Sequence, residues 1–214
     1  MWKDWNFWFT FFTAITAIIA LVMTGYQIRL SNKQHLFERR LRDFMIISGL
    51  ISLCKENQKF LVCKREDRPQ FAMDLEFLWL TNNSFMEGQV EAIRHPLEQP
   101  YHKEFLKKCE ELRTLSTEIS LIFRGKEAEF VSNFVLCYEQ AIFEIYKYQI
   151  MLNNINKEND KHPMTEEEVQ RRFSEKPLRE QLYNSFYKLN DAYKDIISLN
   201  AEQKIRKQIK LIKK

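Results

Sequence analysis

The chain has only four glycines and five prolines in 214 residues. So few turn-forming residues, beside abundant Leu, Ile, Phe, Glu and Lys, favour helix over sheet. The glycines stand far apart, at positions 25, 49, 88 and 125, which excludes a glycine-rich phosphate loop. Four cysteines (Cys54, Cys63, Cys109 and Cys137) show no close-paired spacing. Free thiols in a reducing compartment are the expectation, with Cys54, Cys109 and Cys137 on apolar helical faces. There is no internal repeat and no low-complexity segment.

The most informative absence is of charge. From Trp5 to Ile28 the chain reads WNFWFTFFTAITAIIALVMTGYQI, without one Asp, Glu, Lys or Arg. A hydrocarbon core of about 30 Å needs roughly 20 apolar residues in helix, and this run supplies them. Thr10, Thr13, Thr16 and Thr24 can bond back to their own helix carbonyls, so they do not oppose insertion. We read residues 1–28 as an outside tail and a transmembrane helix. Trp5, Trp8, Phe12, Ile18, Leu21 and Tyr26 are its anchor residues, with Trp2, Trp5 and Trp8 at one edge and Tyr26 at the other as an aromatic belt. A buried core helix or a cleaved signal peptide fits less well. The former needs a larger domain around it, and the latter a shorter run and a small-residue cleavage site.

Basic residues then follow. Arg29, Lys33, Arg39, Arg40 and Arg42 outweigh Glu38, while only Lys3 and Asp4 precede the run. The positive-inside rule places the N-terminus outside and residues 29–214 in the cytoplasm, in the cell membrane, single-pass. Net charge is a mild +4. It says little about nucleic acid as a whole-chain number.

Residues 29–200 read as a cytosolic helical bundle. Phe37, Leu41, Phe44, Ser48 and Ile51 recur at spacings of 4, 3, 4 and 3, an amphipathic stripe that continues from the span. Phe37, Leu41, Phe44 and Ile51 are candidates for parallel self-association, giving a homo-oligomer; packing within the chain's own bundle is the alternative. A helical piece is expected over about 70–80, then a turn at 81–84 and an extended connector HPLEQP at 95–100. Long helices over about 102–124 and 126–153 are joined at Gly125 and form an antiparallel hairpin at the centre of the fold. Residues 154–164 read as an exposed loop. Thr165 with Glu168 opens a short helix through Phe173 as a capping box, and another helix starts at Leu178.

The end of the chain, 201–214, reads as a basic amphipathic tail. Ile205, Ile209 and Ile212 form a stripe among Lys204, Arg206, Lys207, Lys210, Lys213 and Lys214. With Arg29, Lys33, Arg39 and Arg40, these lysines and arginines are the expected membrane-surface residues. A solvated helix end is the alternative. Nucleic acid is not an expected partner, because no aromatic is interleaved.

The run Gln27-Ile28-Arg29-Leu30-Ser31-Asn32-Lys33-Gln34, followed by Leu36-Phe37-Glu38-Arg39-Arg40, resembles the juxtamembrane stretch of uncharacterised bacterial single-span membrane proteins. That resemblance implies an N-terminal anchor with a helical domain behind it and no established activity.

Patterns that carry chemistry are sparse. His95, Glu98 and His102 are interrupted by Pro96 and Pro100, so they cannot share a helix face as metal ligands; solvated loop residues are the simpler reading. Arg29 and His35 have the spacing of helical ribonucleases, a spacing that arises readily by chance. Glu166-Glu167-Glu168 complements a helix dipole. The expectation is therefore no catalytic residue, no cofactor and no metal. We expect a membrane-anchored binding or effector module with the lipid bilayer and an unidentified protein as partners. A membrane-perturbing effector in bacterial phage defence and a helical ribonuclease-like enzyme are the two alternatives.

Overall fold

The computed structural model describes the backbone of residues 2–62 and 76–210, and the side chains of residues 5–62 and 79–210. Among these the chain is all-helical, without a strand. Helix α1 runs from Trp2 to Glu56 without interruption. It is followed by α2 (Gln58–Leu61), two 3₁₀ turns (Glu76–Thr81 and Ser84–Met86), α3 (Gln89–Arg94), α4 (Tyr101–Ile122) and α5 (Lys126–Lys161). Helices α6 (Glu166–Arg172), α7 (Glu175–Ser198) and α8 (Ala201–Arg206) complete the order. The chain divides into two units. One holds the helix up to Arg42 with Ile209 and Lys210; the other is Asp43–Gln208.

In the first unit the threonines satisfy themselves. Thr10 Oγ1 donates to the Asn6 carbonyl at 2.8 Å, Thr13 to Phe9 at 2.7 Å, Thr16 to Phe12 at 3.0 Å and Thr24 to Ala20 at 2.8 Å. Each hydroxyl is thus removed from the list of groups that need water. Ser31 and Asn32, which compete for backbone bonds, do not break α1.

In the second unit α5 is the most enclosed element and packs on α3, α4, α7 and α8. Its buried residues include Val131, Phe134, Tyr138, Ala141, Ile142, Ile145, Tyr148 and Leu152. That apolar side is wider than one stripe, so neighbours lie on several sides of it. Paired residues on α4 and α5 run in opposite directions. Ser116 Oγ lies 2.8 Å from Ser132 Oγ, Arg113 donates to Glu139 at 2.7 Å, and Phe105 stacks on Tyr146 with ring centroids 3.9 Å apart. The link between them turns at Gly125, whose φ of 90° lies in the left-handed region that favours glycine. Tyr138 lies in the centre of the core and donates its hydroxyl to the Leu80 carbonyl.

Four expectations differ from what is seen. The stretch 154–161 is helix, not loop: α5 continues to Lys161. Nothing from Asn153 to Lys161 breaks a helix, Ile155 is buried, and Lys161 pairs with Glu158 at 2.8 Å; the helix stops just before Pro163. The connector 95–100 is a turn rather than extended chain, with Leu97 at φ 66°. The Leu97 N–H is held by Tyr146 Oη at 2.8 Å, which fixes this strained residue. Helix α7 opens at Glu175, three residues early, because Pro177 is tolerated in a first turn where no backbone donor is needed. The expected helix over about 70–80 lies partly outside the described residues; from Glu76 onwards the chain is 3₁₀. The capping box at Thr165 and Glu168 is present, each side chain meeting the other's backbone N–H.

Candidate functional site

Among the described residues one helix, α1, is long and apolar enough to cross a membrane, and no part of its apolar window is buried. Fourteen large apolar side chains between Trp5 and Ile28 are exposed, with Leu21 at 76%. Trp5, Trp8, Phe12, Ile18 and Tyr26 are all more than half exposed. Burying one such side chain is worth roughly 1.5–3 kcal/mol, so leaving this surface in water forgoes on the order of 20 kcal/mol. Such a surface calls for an apolar medium or partner. The flanking Arg29, Lys33 and Arg39 are exposed and Arg40 is half-buried.

The self-association candidates fall in different environments. Leu41 is exposed and Phe37 half-buried, whereas Ile51 is buried inside the second unit and Phe44 is half-buried there. Ser48, on the same stripe, donates to Glu202 at 2.8 Å. The lower part of the stripe is therefore used within that unit.

The basic tail also differs from a free amphipathic helix. Asn200, at φ 53°, separates α7 from α8, and α8 ends at Arg206. Ile205 is buried, Lys204 pairs with Glu127 at 2.8 Å, and Gln208 exchanges two hydrogen bonds with the Arg124 backbone. The Lys204 ammonium holds the half-buried Glu127 carboxyl below its usual range. Arg206, Lys207 and Lys210 are exposed; Lys213 and Lys214 lie outside the described residues. Ile205 itself is buried within the second unit, where α8 packs on α5 and α7.

Three polar clusters lie in the second unit. Glu175 and Arg179, both almost wholly buried on α7, meet Tyr148 of α5. Tyr148 Oη donates to Glu175 Oε1 at 2.8 Å and Arg179 Nε lies 3.6 Å from the same oxygen. Burial pushes the Tyr148 phenol far up, and the Glu175 carboxylate adds to it. A cavity of about 320 Å³ opens beside this cluster, with Gln170, Phe173 and Lys176 on its wall. Sequence reading missed the cluster; the i, i+4 pair Glu175 and Arg179 is its only signal, and such pairs are ordinarily solvent-exposed.

In the second cluster His102 Nδ1 lies 2.8 Å from Tyr146 Oη. His102 is thus half-buried and held, not a solvated loop residue, because α4 begins one residue before it. His95 sits 3.8 Å from Glu91 and 3.6 Å from Glu98. No group of three His, Cys, Asp or Glu among the described residues is arranged to hold a metal ion. Arg29 and His35 both lie on the exposed part of α1.

The third cluster is Cys109 with Glu139 and Arg113. Burial pushes the Cys109 thiol up to about 12, with the Glu139 charge adding and Arg113 opposing. Cys54 is buried and its thiol is pushed up further by burial alone. Cys137, expected on an apolar helical face, is only half-buried, next to exposed Leu136. Thiolate is the reactive form. Maleimide labelling of the folded full-length protein, read site by site by mass spectrometry, is expected to reach Cys137 well before Cys109 and Cys54. Equal rates at the three would contradict this packing.

The chain matches no family model, no curated protein and no solved structure.

Proposed function

We propose that the protein is a single-span membrane protein, N-terminus outside, whose residues 29–214 form a cytosolic helical bundle built around the α4–α5 antiparallel hairpin. Its role is to hold a binding module at the inner face of the membrane, without catalysis of its own. One observation carries this reading: a 24-residue uncharged helical run whose apolar side chains are exposed on every side. Water does not tolerate that surface, and a bilayer matches it in length, since 24 residues of helix extend about 36 Å. The basic residues after the run support the orientation. Paired C-terminal fusions test the topology. A cytosol-active fluorescent protein is expected to shine and a periplasm-dependent phosphatase to stay inactive; the reverse pair would refute the orientation.

A further inference from the structure

The part of α1 between the apolar run and the second unit, residues 29–42, is helical for 14 residues, about 21 Å. Leu30 is 44% exposed and Leu41 39% exposed. The exposed Leu30 and Leu41 are the apolar groups here that a partner helix would cover. Leu30, Phe37 and Leu41 fall on one line with the positions of a heptad. Taking Gln27, Gln34 and Leu41 as a positions makes Met23, Leu30 and Phe37 d positions. Extending the same register backwards into the apolar run puts Thr13 and Ala20 at a and Thr16 at d, with Ala17 and Thr24 beside them at e.

The character of this line changes where the medium changes. Between helices in lipid, close approach is driven by small residues, and apart from Met23 the line there, Thr13, Thr16, Ala17, Ala20 and Thr24, is small. In water, a seam is driven by large apolar residues, and Leu30, Phe37 and Leu41 are large. The flanks are complementary to a copy of themselves. In a parallel pair a g position faces the e′ position five residues on. Lys33 at g therefore faces Glu38 of a second copy at e′, and by symmetry the contact occurs twice. Gln34 Nε2 donates to Glu38 Oε1 at 3.0 Å, which draws that carboxylate toward the seam. Gln27 and Gln34, polar at a, are the kind of residue that fixes register at a cost in stability.

We infer that α1 pairs in parallel with α1 of a second copy of this chain, along one heptad seam from Thr13 to Leu41. The inference rests on the membrane reading above, because a common bilayer sets both copies in the same direction and at the same depth. It stops before Asp43, since Ser48 and Ile51 are engaged within the second unit. Copies that share this seam bring two binding modules side by side, which raises affinity for any bivalent partner.

The test uses the full-length chain in bacterial inner-membrane vesicles. Under mild oxidation Leu41→Cys, at a, is expected to give a disulfide dimer above the wild-type background, whereas Arg39→Cys, at f, gives none. In proteoliposomes diluted with lipid, Lys33→Glu and Glu38→Lys are each expected to weaken the dimer by about fivefold, and the double swap to restore it. Absence of a dimer at position 41, equal dimer at 39 and 41, or a double swap weaker than either single variant would overturn the pairing. A chain that stays in the membrane fraction but gives no dimer refutes only the pairing. A chain absent from that fraction refutes the membrane reading.

Discussion

Replacing Ile15 and Ile19 together by aspartate is expected to move the full-length protein out of the carbonate-resistant membrane fraction. Both positions lie near the middle of the run from Trp5 to Ile28 and both are exposed on α1. A carboxylate at a helix centre disfavours insertion by about 3 kcal/mol, and Asp is too short to reach the interface. Two of them shift the insertion equilibrium by about 6 kcal/mol, roughly 10⁴-fold. Both positions lie outside the unit Asp43–Gln208, so that unit's helicity by circular dichroism is expected to persist. Replacement of Ile15 and Ile19 by leucine should leave fractionation unchanged. Full retention of the double aspartate variant in the carbonate pellet would mean that this run is not what holds the chain there.

The largest stability effect is expected at the buried Glu175 and Arg179. Glu175→Ala removes the acceptor of Tyr148 and the carboxylate beside Arg179. Removing one member of a buried ion pair costs about 3–5 kcal/mol. For a chain of this size that is a fall in melting temperature of about 10 °C. Glu175→Leu combined with Arg179→Met and Tyr148→Phe is expected to recover most of the loss, because apolar groups of similar volume replace the whole cluster. Melting of the full-length protein in detergent, followed by circular dichroism, separates the two cases. A single variant as stable as the wild type would show that the cluster contributes nothing to the fold.

How much of this was legible in the sequence depends on the range of the interaction concerned. The long apolar helix over residues 5–28 was readable because composition there is local and extreme. The capping box was readable because Thr165 and Glu168 satisfy each other within four residues. The helices around Phe105 to Phe123 and Phe130 to Leu152 were readable because their apolar periodicity is local. The region 154–161 misled because polarity was taken as a sign of loop. A helix that has already been nucleated and packed for seven turns continues through polar residues at little cost, and Ile155 is anchored by contacts that no local pattern displays. Glu175 and Arg179 were hidden for a similar reason. Their burial involves Tyr148, which lies 27 residues before Glu175. Ile205 differed in the opposite sense: it looked like one member of an exposed stripe, but it is buried where α8 meets α7 and α5, the latter distant in sequence.

Tryptic digestion of sealed inner-membrane vesicles tests the membrane reading most directly. No lysine or arginine lies between Lys3 and Arg29, so the apolar run has no internal cleavage site. In inside-out vesicles the expected result is digestion of the chain beyond Arg29, with a protected fragment of residues 1–29 recovered by mass spectrometry. In right-side-out vesicles the chain beyond Arg29 is expected to survive intact. Survival of that part in inside-out vesicles, or loss of every fragment that contains Trp5 to Ile28, would contradict a single span with the helical domain in the cytoplasm.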